Sequence, residues 1–177
     1  MSIKLIETTI PEVKIIQGIR FFDERGFFTE SYKEAEYLDA GLPKFVQDNL
    51  SLSSKGVIRG LHWQEAPFAQ GKLVTCVSGK ILDIAVDIRK SSKTYGQHIA
   101  VELDSTEPQS LWVPEGFAHG FQDLEDETRV SYKVNNYWDK ASERSLNYGD
   151  PALDINWYPI ANIVSEKDRD APHLDEL

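Results

Sequence analysis

Lys80-Ile-Leu-Asp-Ile-Ala-Val-Asp-Ile-Arg89 alternates along its whole length. Leu82, Ile84, Val86 and Ile88 fall on one face, with Asp83 and Asp87 among the residues on the other. Successive side chains of a strand point to opposite sides, so this period of two predicts a strand rather than a helix. Residues 98–103 repeat the pattern through Ile99, Val101 and Leu103, and residues 129–134 repeat it through Val130, Tyr132 and Val134. Between such runs stand turn signals: Gly56, Gly71, Ser78-Gly79, Ser91-Ser92-Lys93, Gly96 and Asp104-Ser105. Short strands at near-regular spacing favour an all-β antiparallel barrel or sandwich over a doubly wound α/β fold. One helix is expected where Ser31-Tyr-Lys-Glu34 fits a capping box and Gly41 then Pro43 end the segment. A second, short helix is expected from Ser165, with Asp168 three residues on, and the charged tail 166–177 is expected on the surface.

The bulk properties bound the function. A chain of 177 residues suits one domain, 1–177, with a sizeable core. Residues 1–11 lack the basic start and long apolar run of a signal peptide, and no apolar run reaches membrane-spanning length. The net charge of −10 argues against nucleic-acid partners and anionic membranes. Cys76 is the only cysteine, which excludes an internal disulfide and fits a reducing cytoplasm.

Chemistry concentrates in Gln47-Asp-Asn49 and Arg59-Gly-Leu-His62-Trp-Gln64. Histidine accepts a proton near neutral pH, and arginine is the usual holder of phosphate. In a regular strand, however, His62 would share a face with Gly60 and Gln64, while Arg59 would point away with Leu61 and Trp63. A bulge at Gly60 would bring the two together. Lys72 reads either as a strand-end lysine in solvent or as a cation beside a developing oxyanion. His119, between two glycines and flanked by Phe117 and Phe121, reads either as a core histidine or as part of a site. Tyr132 on its inward face either packs or gives a proton to a carbanion. His62-Trp-Gln64 and His119 stand like the two halves of a cupin metal motif. Gln64 occupies the place of the second imidazole, so no metal is expected. No motif for a covalent serine enzyme, P-loop or dinucleotide cofactor is present, and Cys76 reads as an inert inward residue.

Six ordered segments carry a resemblance. They are Phe22-Asp-Glu-Arg-Gly-Phe-Phe28, Gln47-Asp-Asn-Leu-Ser51, Val57-Ile-Arg-Gly-Leu-His-Trp-Gln64, Gly71-Lys-Leu-Val74, Pro114-Glu-Gly-Phe-Ala-His-Gly-Phe121 and Ser165-Glu-Lys-Asp168. Together, over nearly the whole chain, they resemble the dTDP-4-dehydrorhamnose 3,5-epimerase family. The resemblance implies a cupin-type jelly roll, a homodimer that exchanges N-terminal strands, no cofactor and a dTDP-sugar substrate. It also implies roles: His62 as base, Asp168 orienting it, Tyr132 as proton donor on the opposite face and Lys72 near the C4 oxygen. Arg25, Glu30, Gln47, Asp48, Asn49, Arg59, His119, Glu143 and Lys167 match substrate-contacting positions. The alternatives are a single-centre 3- or 5-epimerase, a cupin-like binding module without turnover and, last, a metal-dependent cupin oxygenase.

Overall fold

Two antiparallel sheets face each other across an apolar core. The computed structural model describes residues 3–177; the first two residues of the expected domain, and of the stretch read for a leader, lie outside the described residues. In chain order the strands are β1 (Lys4–Glu7), β2 (Lys14–Gln17), β3 (Phe21–Asp23), β4 (Gly26–Phe28), β5 (Gln47–Ser53) and β6 (Ile58–Gln64). Then follow β7 (Lys72–Ser78), β8 (Lys80–Asp87), β9 (His98–Asp104), β10 (Gln109–Val113), β11 (Phe117–Asp123), β12 (Thr128–Val134) and β13 (Glu143–Ser145). One sheet runs β1-β2-β10-β7-β12-β5, the other β13-β6-β11-β8-β9, and β3 with β4 forms a separate hairpin. This is the antiparallel all-β sandwich that the alternation predicts, in the jelly-roll form that the resemblance implies.

The alternation of β8 resolves into two buried faces rather than one. Ile81 and Ala85 point between the sheets, where they meet Val74, Val130, Ile99, Leu103 and Phe117. Leu82, Ile84 and Val86 point outward into a second cluster with Leu61, Trp63, Leu146 and Leu153. That outer face is roofed by the C-terminal segment, against which Trp157, Leu174 and Leu177 pack. The tail keeps most of its charge on the surface as expected, with Glu166, Lys167, Arg169, Asp170, Asp175 and Glu176 exposed, while Asp168 and Ala171 are buried within it. Asp83 and Asp87, on the face opposite Leu82, Ile84 and Val86 as the alternation requires, are fully buried. Asp87 is satisfied by Arg89, Ser92 and Thr94.

The first helix, α1 (Glu34–Asp39), covers the outer face of the six-stranded sheet through Tyr37, beside Leu42, Phe45 and Trp112. The expected capping box at Ser31 does not form. The chain enters the helix at Lys33, which is extended (φ −143°) and gives no side-chain cap. Tyr32 is held by ring contacts to Tyr37 and Phe45, and that packing sets where the helix can begin. Gly41 (φ +82°) ends it as expected. The second helix, α2 (Glu166–Arg169), starts as expected, with Ser165 Oγ accepting from the Asp168 amide at 3.2 Å.

Candidate active site

The bulge anticipated at Gly60 is present. His119 of β11 stands opposite His62, yet Phe121 stands opposite Arg59, so β6 carries one residue more than its partner across that interval. Alternation is reset there, and Arg59 and His62 line the same cavity while Leu61 turns into the outer cluster. Gly60 has φ +130°, and a Cβ on it would lie 2.5 Å from Gly120 Cα and 2.8 Å from the His119 carbonyl oxygen. Only glycine fits both demands.

The cavity, about 530 Å³, opens between the sheets and under the C-terminal segment. The five-stranded sheet supplies Arg59, His62 and His119, the six-stranded sheet supplies Lys72 and Tyr132, and α2 supplies Lys167 and Asp168. His62 Nε2 lies 2.5 Å from Asp168 Oδ1. The other Asp168 oxygen accepts from the Gly60 amide at 3.3 Å. Burial pushes the Asp168 pKa up, but the His62 contact, the Gly60 amide and Ser165 outweigh it and hold the carboxyl ionised, below its usual range. A carboxylate can only accept, so Nε2 carries a proton, and in the neutral ring the lone pair then sits on the second nitrogen.

Across the cavity, Lys72 is buried and donates to the His62 carbonyl at 3.0 Å. Burial lowers its pKa to about 8, against the opposing charges of Asp83 and Glu143. Tyr132 pairs in register with Asn49 and Val74, and burial raises its hydroxyl pKa. His119 is buried, with Nε2 2.7 Å from Asp83 Oδ1. Burial lowers the His119 pKa, with Asp83 opposing. Asp83 is a site residue that sequence reasoning missed; an isolated carboxylate inside an apolar alternating run was its signal.

Other expected residues are placed unevenly. Glu143 lies on β13 beside β6 and binds Lys167 at 2.6 Å at the cavity edge. That contact lowers the Glu143 pKa despite the opposing effect of burial. Gln47 bonds Asn49 (2.9 Å) and receives the Trp138 amide (3.1 Å), which ties the end of β5 to the loop before β13. Asp48 does not join them: strand alternation turns it to the outer face, where it pairs with Lys133 at 2.9 Å. Arg25 sits in the exposed turn of the β3–β4 hairpin against Asp23, and Glu30 lines a separate small pocket near α1. Neither reaches the cavity of its own chain. Gln64 is not aimed at the two histidines either; its amide is spent on Phe68, Tyr137 and Asp139. Among the described residues no three His, Cys, Asp or Glu side chains gather as a metal site would require. Cys76 is buried in the main core, and burial pushes its thiol up to about 12.

Comparison with known proteins agrees with this geometry. Residues 7–176 match the family model described as dTDP-4-dehydrorhamnose 3,5-epimerase. The chain is 50% identical to the dTDP-4-dehydrorhamnose 3,5-epimerase of Shigella flexneri, over 93% of this chain and 92% of that one. It is 47% identical to that of Salmonella typhimurium, over 97% and 96%. Its structure superposes with a TM-score of 0.94 on the dTDP-6-deoxy-D-glucose-3,5-epimerase of Legionella pneumophila Philadelphia 1 in complex with dTDP-4-keto-L-rhamnose. That protein is 44% identical, with 98% of this chain and 93% of that one covered.

Proposed function

The chain belongs to the dTDP-4-dehydrorhamnose 3,5-epimerase family, and from that membership we propose how its side chains divide the reaction. The enzyme is an isomerase that converts dTDP-4-dehydro-6-deoxy-α-D-glucose to dTDP-4-dehydro-β-L-rhamnose. The C4 ketone acidifies the hydrogens at C3 and C5, because removal of either gives an enolate with its charge on oxygen. Inversion requires removal on one face of the ring and return on the other, hence two groups.

The observation that carries the reading is the placement of those groups on opposing sheets. His62 projects from β6 with its protonated nitrogen on Asp168, so its free nitrogen takes the carbon-bound proton. Tyr132 projects from β12 and returns a proton to the opposite face. Lys72, charged below about pH 8, stabilises the enolate oxygen. Arg59 and Lys167 hold the diphosphate, with Gln47, Asn49, His119 and Glu143 arranged around them.

Arg25 and Glu30 are assigned to the cavity of a second copy. The β3–β4 hairpin exposes Phe21, Phe22, Phe27 and Phe28, the second of them by 75%. Four large apolar rings on a short projecting hairpin favour burial against another subunit, so exchange of N-terminal strands in a homodimer accounts for both the rings and the displaced arginine. The single cysteine, buried, supports a cytoplasmic setting.

Reaction in deuterated water, with the label located by NMR, tests the division of labour. The enzyme is expected to place solvent deuterium at both C3 and C5. Tyr132→Phe is expected to slow product formation about 10²-fold while deuterium still enters the starting sugar with retained configuration. Label at a single carbon in the wild type would identify a single-centre epimerase.

A further inference from the structure

Asp123 is a fully buried carboxylate that the reaction as written does not use. It ends β11 on the face that also carries His119 and Phe121, opposite the inward Ile81 of β8. Neither of its carboxyl oxygens meets a donor at hydrogen-bonding geometry among the described residues. Such an orphaned group is costly to keep, and its neighbours supply a reason. Arg59 of β6 stands opposite Phe121, so Asp123, two residues on, is its diagonal neighbour on the same face. Between them lies Ser53 at the end of β5, buried, with its hydroxyl oxygen accepting from Arg59 Nε at 3.1 Å. Facing Asp123 are thus Ser53 from β5, Arg59 from β6 and the buried Cys76 thiol of β7, which feels its charge. On β11 itself Phe121 separates it from His119. Burial raises the Asp123 pKa to about 7, opposed by the Ser53 hydroxyl, which is close by but outside hydrogen-bonding geometry, and by the Arg59 charge.

We propose that Asp123 is a positioning residue for Arg59, acting through Ser53, and that it takes up a proton from solvent when an anionic ligand occupies the Arg59 end of the cavity. The inference rests on the assignment of Arg59 to the diphosphate. Without a ligand, the Arg59 guanidinium faces Asp123 and favours the carboxylate, which draws Arg59 back toward Ser53. A bound diphosphate offsets that cation, the carboxylate loses its support, and protonation follows. By reciprocity the same ligand binds more tightly as the pH falls through 7.

Isothermal titration calorimetry with dTDP-glucose, whose diphosphate has no ionisation near pH 7, reads the coupling in buffers of different protonation enthalpy. The wild type is expected to take up a larger fraction of a proton on binding than Asp123→Asn does. Its dissociation constant is expected to rise about fivefold more than that of the variant between pH 6 and 8, the low end of ordinary site coupling. In turnover, Asp123→Asn is expected to change KM more than kcat. Equal proton uptake in the two proteins overturns the proposal. Should Asp123→Asn not fold, infrared difference spectra of the wild type decide: a protonated carboxyl band must grow on ligand binding and be absent in Ser53→Ala. Arg59→Gln separates the premise from the inference. A dissociation constant unchanged in Arg59→Gln refutes the diphosphate assignment. A loss of about tenfold there, one charged hydrogen bond, with wild-type proton uptake in Asp123→Asn refutes the role of Asp123 alone.

Discussion

Two histidine–carboxylate pairs stand in one cavity and do different work. His62 and Asp168 join residues 106 apart in sequence, a strand and a four-residue helix, and the His62 side chain keeps 28% of its surface open to the cavity. His119 and Asp83 sit on neighbouring strands of one sheet, with 5% and 0% exposed. The geometry within each pair is almost the same, 2.5 against 2.7 Å. What differs is access to the ring. Open to the cavity, His62 can exchange protons with a ligand. Desolvated, His119 is held neutral, and its carboxylate instead supports the charge of Lys72. On the proposed roles, identical side chains serve as a base in one place and a fixed electrostatic prop in the other, because burial favours the neutral form.

The sharpest way to break this contrast is to remove the open ring. His62→Ala should lower turnover about 10³-fold, with the fold intact by circular dichroism; a loss of only a few-fold would return the base assignment to His119. The same substitution at both carboxylates comes next. Asp168→Asn should lower kcat about 10²-fold, since the amide can present a donor to His62 and favour the wrong tautomer. Asp83→Asn should cost less than about tenfold, or 1.4 kcal/mol of barrier. Its signature lies in the pH profile. Lys72 loses its proton, and with it the enolate stabilisation, as the pH rises through about 8. Asp83 raises the Lys72 pKa, so Asp83→Asn should move that alkaline fall in kcat to lower pH, whereas Asp168→Asn should leave its position unaltered. If both variants shift the limb alike, the two carboxylates are not specialised.

The sequence made the strands, the Ser165 cap and the residues of the open pair legible, because each depends on spacing within one segment or on an ordered set of motifs. Alternation alone left Arg59 and His62 apart, with a bulge at Gly60 as the way to unite them. The bulge that unites them depends on Gly120 lying against Gly60, and periodicity along one strand is blind to its partner. The start of α1 was misread for a similar reason, as Tyr32 obeys its aromatic contacts rather than the capping preference of Ser31. The place of Asp83 between the sheets was not legible, because the apolar Leu82, Ile84 and Val86 face of β8 is covered by a C-terminal roof some 70 residues further along. Asp48 shows the converse: it matched a substrate-contacting position by motif, yet the alternation of β5 turns it outward to Lys133.

The phase reset at Gly60 makes β6 two short strands on one backbone. Upstream of it, Arg59 keeps time with the Phe121 register; downstream, His62 keeps time with His119. On the proposed roles, a substitution at Arg59 that retunes the grip on the ligand is expected to leave the orientation of His62 alone, and the reverse is expected as well. Loss of a single residue at the junction would erase that independence at a stroke, swinging one of the two side chains into the outer layer with Leu61. The strand can vary by replacement but not by length, and ligand preference and proton chemistry can drift as separate inheritances.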